Sequence, residues 1–105
     1  MVEHGHGPVF SALSDPTRRN VVEALAGRET ATATELAAEL PVTRQAVSKH
    51  LTALGAAGLV ASERRGRETH YRLTLDALSD AVSWMEQLGA QWERRLAALR
   101  SRFDD

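Results

Sequence analysis

The chain contains no cysteine, no isoleucine, a single lysine (Lys49) and few aromatic residues, 5% of 105 positions. Without cysteine there is no disulfide framework, no thiolate metal site and no thiol nucleophile. No segment approaches the roughly 20 apolar residues that cross a bilayer. Met1–Pro8 lacks the basic region and apolar core of a secretion signal, so no membrane role is expected and the cytoplasm is the expected location. Also absent are a GxGxxG or phosphate-binding loop, a GxSxG nucleophile turn and an HExxH pair, and the carboxylates are scattered as on solvated helix faces. Catalysis is therefore not expected. Finally, a formal net charge of −1 shows no overall excess of basic residues that would favour a polyanionic partner.

What is present is an ordinary globular mixture, 43% hydrophobic and 26% charged, in a length that favours one domain over residues 1–105. Near-neutrality hides a strong segregation of charge. Residues 1–40 carry three Arg against six acids, net −3, and residues 75–105 carry four Arg against six acids, net −2. Between them, residues 41–74 carry Arg44, Lys49, Arg64, Arg65, Arg67 and Arg72 against Glu63 and Glu68, a basic island of net +4. The preference for Arg over Lys, the abundance of Ala and the lack of Ile fit GC-rich coding and a bacterial origin.

Residues 1–8 read as a flexible tail, followed by a short helical turn with Val9, Phe10 and Leu13 apolar. Asp15 before Pro16 predicts a capped helix to about Ala26, with Val21, Val22 and Leu25 inward and Gly27 as a left-handed cap. Thr32-Ala33-Thr34-Glu35 fits a capping box, and Pro41 ends the brief helix it opens. Thr43 then caps a helix to about Ala57, with Val47, Leu51 and Leu54 inward and Gly58 after it. This pair, over 33–57, is a helix-turn-helix pattern. From Gly58 the period changes to two, so Leu59–Arg64 and Glu68–Leu73 are expected strands with Arg65-Gly66-Arg67 at the tip, a wing over 59–74. Asp76 is expected to cap a last helix reaching Phe103, about 42 Å long at 1.5 Å per residue. The fold class is mainly α with a small β-hairpin wing, a winged helix-turn-helix joined to a second copy through its long C-terminal helix.

A recognition helix needs side chains on its first turns that reach base edges and phosphates. Thr43, Arg44, Gln45, Ser48, Lys49 and Thr52 supply them, and Arg64, Arg65 and Arg67 offer phosphate or minor-groove contacts from the wing. His50 lies at the edge of the buried stripe and reads equally as a boundary histidine or a DNA contact; for Arg18 and Arg19 a structural role is favoured over a phosphate contact. On the last helix Leu78, Val82, Met85, Leu88, Trp92, Leu96 and Leu99 recur every three or four residues, a stripe longer than one small core can cover. With Phe10 they form the expected dimer interface.

In order and spacing, Phe10 to Arg19, Thr34-Glu35-Leu36-Ala37, Val47-Ser48-Lys49-His50-Leu51, Gly58-Leu59-Val60, Arg65-Gly66-Arg67 and Tyr71-Arg72-Leu73 resemble the ArsR family of bacterial winged-helix repressors over about residues 9–100. The resemblance implies a homodimer on a palindromic double-stranded operator near a promoter, with Thr43, Arg44, Gln45, Ser48, Lys49 and His50 where relatives touch DNA. It also implies that thiol-based metal sensing is lost, since Thr34-Glu35-Leu36-Ala37-Ala38-Glu39 stands where metal-sensing members carry a cysteine pair. The family's second metal site uses histidine on the terminal helix, and there is none between Asp76 and Phe103. His4 and His6 supply two ligands where three or four are usual, so neither metal nor cofactor is expected. The rival reading is a winged-helix protein-interaction module, with the arginine-tipped hairpin serving only solubility.

Overall fold

The computed structural model describes residues 6–74 and 76–103. Its elements run α1 (Gly7–Leu13), α2 (Pro16–Ala26), α3 (Ala33–Glu39), α4 (Arg44–Ala56), β1 (Val60–Arg65), β2 (Glu68–Leu73) and α5 (Asp76–Phe103). This is a winged helix-turn-helix with a long C-terminal helix. Each helix start up to α4 has a local cause. Pro8 and Pro16 sit in the first turns of α1 and α2, where a missing amide hydrogen costs nothing. The Asp15 carboxylate accepts from the Thr17 and Arg18 amides at 2.8 and 3.1 Å. Thr32 and Glu35 close a full capping box, and the Thr43 hydroxyl accepts from the Ala46 amide.

The stop signals act through two different geometries. Gly58 adopts φ +78°; its amide donates to the Gly55 carbonyl and that of Leu59 to the Leu54 carbonyl, which is the Schellman closure of α4. Gly27 does not follow the expectation: its φ is −91°, so α2 ends without a left-handed residue, its last turn closed by bonds from Gly27 and Arg28 to the Leu25 carbonyl. Two further boundaries move. Gly7 and Pro8 belong to α1 rather than to the tail, because the helix needs only Pro8 in its first turn to begin there. Asp76 lies inside the first turn of α5 rather than capping it, a position where a carboxylate still favours the positive end of the helix.

β1 and β2 pair antiparallel from Val60 opposite Leu73 to Arg65 opposite Glu68, leaving Gly66-Arg67 as a two-residue turn with Gly66 at φ +63°. Ala31 adds a single bridge to Tyr71 and ties the α2–α3 connection to the wing. Val21, Leu25, Leu36, Val47, Leu51 and Leu54, each 0–1% exposed, form one core with Val9, Leu59 and Ala81. Full burial of each such side chain contributes about 1.5–3 kcal/mol, which locks α4 onto α2 and α3. α5 joins that core only at its start. Ala81 is buried, Leu78 packs against the core, and beyond Trp84 every described residue is exposed. The radius of gyration is 18.5 Å, against about 13 Å for a compact domain of this length; α5 makes the difference.

Candidate nucleic-acid interface

Burial of Val47, Leu51 and Leu54 decides what α4 presents outward. Gln45, Lys49 and Thr52, at spacings of four and three, form an exposed polar stripe away from the core. Arg44 and Ser48, one turn apart, lie on the flank toward the wing and line one cleft with Arg64, Arg67, Thr34 and Thr69. The cleft brings together groups distant in sequence: the start of α4, the start of α3 and one face of the hairpin. Pairing in the hairpin puts Arg64 and Thr69 opposite each other, on the same face as Ser62 and Tyr71.

Several candidate side chains are engaged locally. The Thr43 hydroxyl caps α4, and the Thr52 hydroxyl donates to the Ser48 carbonyl at 3.0 Å. Arg64 Nε donates to the Gly66 carbonyl at 3.0 Å, which stiffens the hairpin tip. Arg65 falls apart from the group. It pairs with Glu68 across the hairpin on the face that carries Glu63, His70 and Arg72, forms an ion pair with Glu63 at 3.3 Å, and lines a separate recess with Arg72, Leu25 and Thr30. His50 sits on the α2 side of α4, where Arg18 Nε donates to its Nδ1 at 3.3 Å. Thr34 and Thr69, missed in the sequence, join the cleft through tertiary proximity alone; the only local hint was the place of Thr34 in the first turn after a cap.

Electrostatic support is local as well. Asp15 is held below its ordinary carboxyl value of 3.8, chiefly by the Arg18 amide. Glu35 is held below 4.5, chiefly by the Thr32 amide. Glu39 accepts twice from Arg28, at 2.6 and 2.7 Å, and raises the guanidinium above its usual value. These contacts fix the ends of α2 and α3 and remove Arg28 from the free positive charge. Among the described residues no group of three His, Asp or Glu side chains is placed to hold a metal ion. His4 of the His4/His6 pair lies outside the described residues.

Residues 13–63 match a helix-turn-helix domain family. The transcriptional repressor SdpR of Bacillus subtilis is 35% identical over 77 residues, covering 73% of this chain and 84% of that protein. The chain belongs to the ArsR-like winged helix-turn-helix transcriptional regulators. Within this family, the regulator Rv2034 of Mycobacterium tuberculosis is 37% identical over 95 residues, spanning 90% of this chain and 85% of its own length. A solved ArsR-like transcriptional regulator from Rhodococcus sp. RHA1 superposes with a TM-score of 0.82 at 46% identity, covering 92% of this chain and 91% of that one. Membership makes the chain a DNA-binding transcriptional regulator, and it is an ArsR-like regulator without a single cysteine. No described helix is long and apolar enough to cross a membrane.

Proposed function

We propose that residues 1–105 act as one unit, a homodimeric repressor that binds a palindromic operator near a promoter. α4 enters the major groove, the wing flanks it, and α5 joins two copies. The observation that carries this reading is the convergence of Arg44 and Ser48 from α4 with Arg64 and Arg67 from the wing on one cleft. Gln45 and Lys49 stand exposed beside it. Arg and Gln suit bidentate contacts to guanine and adenine; the remaining groups suit phosphates. Repression is the sign favoured by the similarity to SdpR, itself a repressor.

Support for a second copy comes from α5. Met85, Leu88, Trp92, Leu96 and Leu99 are 40–54% exposed on one stripe, with Phe10 and Val82 beside them. Charge along the same helix is split by end: Asp76, Asp80 and Glu86 occupy its first half, Arg94, Arg95, Arg100 and Arg102 its second, with Glu93 alone opposing them. Two copies laid antiparallel bring each acidic half against the other's basic half; parallel copies would oppose like charges. An antiparallel pair also has the twofold symmetry that a palindrome demands, with half-sites about 34 Å apart or a multiple of it.

The test is fluorescence anisotropy of the protein on DNA upstream of its own coding region and on a random duplex, at rising salt. Preference for the upstream DNA with a steep salt slope is expected. Salt-insensitive binding or equal affinity for both duplexes would refute the reading. No duplex binding at low salt, together with a stable complex with a different protein, would establish the interaction-module alternative.

A further inference from the structure

Three other arginines show the usual ways such a side chain is engaged. Arg28 is paired with Glu39, Arg65 with Glu63, and Arg19 donates to the Leu13 carbonyl at 2.7 Å. Arg18 differs. It is partly buried, its Nε is held by His50 Nδ1, and it takes part in no ion pair among the described residues. Its nearest acid in sequence, Asp15, uses Oδ1 to accept from the backbone amides of Thr17 and Arg18. The Asp15 carboxylate therefore acts on the side chains of Arg18 and His50 only through space, as a nearby charge, and the terminal guanidinium nitrogens of Arg18 form a fork suited to phosphate oxygens.

Placement on α4 says which anion. At roughly 100° per residue, Ser48 and His50 stand about 160° apart around the helix, one on each side of the outward stripe of Gln45 and Lys49. Ser48 borders the wing cleft; His50 borders α2. A helix seated in a groove about 12 Å wide is bordered by the backbones of both strands, yet the wing serves only one flank. We infer that Arg18 and His50 together form a backbone-phosphate contact on the flank of α4 opposite the wing. Because Nδ1 accepts the Arg18 Nε–H, the ring proton of neutral His50 resides on Nε2, making that nitrogen a donor. Arg18 then supplies the charge and His50 the second hydrogen bond. This inference rests on α4 being the helix that enters the major groove.

Salt-dependent anisotropy of the full-length Arg18→Gln protein tests it, on the upstream DNA and on a random duplex. Affinity is expected to fall about five- to tenfold on both duplexes alike, and the slope of log affinity against log salt to shrink by about one per subunit, with melting temperature little changed. Arg18→Lys is expected to recover most of the slope, since the charge returns. An unchanged slope, with or without a lowered melting temperature, would assign the pair a purely structural role. NMR of the unmodified protein gives an independent reading that needs no folded variant. His50 is expected as the Nε2–H tautomer, with its ring resonances and Arg18 Nε–H shifting when the random duplex is added; unmoved resonances overturn the contact. Failure of the unmodified protein to bind either duplex would instead overturn the reading of α4 beneath it.

Discussion

α4 and α5 carry the same kind of apolar stripe and meet opposite fates. In α4 the stripe of Val47, Leu51 and Leu54 is sealed by α2, α3 and β1, and the polar face left over is the chemically specific one. In α5 the stripe passes Ala81 and runs on uncovered through Leu99, so its apolar face is the one left over. One helix is covered by its own chain on its apolar side and leaves a polar face, the one proposed to meet DNA; the other is covered only at its start and leaves an apolar one. The contacts proposed above therefore sit on whichever face the core leaves unused, and the two faces suit different partners.

That contrast can be broken most severely at the middle of α5. Leu88→Glu puts a charge into the proposed interface and is expected to yield monomers by sedimentation, with palindrome binding abolished; an intact dimer would remove α5 from the interface. Next in size, Leu54→Ala should cost about 2–5 kcal/mol of folding stability by leaving a cavity. Leu96→Ala should leave the fold's denaturation midpoint at saturating protein concentration nearly unchanged and weaken the dimer instead. Equal destabilisation by both would erase the distinction between the helices.

On the DNA side, Arg44→Ala should lose about 1–3 kcal/mol on the operator and relax base preference, read by competition with single-base operator variants. Smaller and sequence-blind losses are expected for Arg64→Ala and Arg67→Ala. Arg65→Ala, on the other hairpin face and paired with Glu63, should lose least. The smallest effect is on acid stability. The folded values of Asp15 and Glu35 are depressed, so their caps stabilise fully above the ordinary values of 3.8 and 4.5 and are lost as pH falls through the lowered ones. Melting temperature should decline below about pH 4.5, and more shallowly in Asp15→Asn, which keeps an acceptor without the titration.

Much of this architecture is written locally. Thr32, Thr43 and Asp15 announce helix starts because a side-chain acceptor beside unpaired amides is a short-range device that needs no tertiary partner. Gly58 and Gly66 both take positive φ, whereas Gly27, equally placed in the sequence, does not: a glycine permits the left-handed conformation without requiring it, and the following chain decides. Arg64, Arg65 and Arg67 looked equivalent as a cluster at one hairpin tip. Strand register separated Arg64 from Arg65, since neighbours along a strand point to opposite faces.

The sequence by itself determined the elements, the basic island and the absence of any thiol, because caps, periodicity and composition act over a few residues or by simple presence. Only the tertiary structure decided which basic residues face one cleft, that Thr34 and Thr69 join them, and that Arg18 rests against His50 from 32 residues away. Those outcomes depend on how helices pack and how strands align, and packing is a property of the whole core rather than of any one segment.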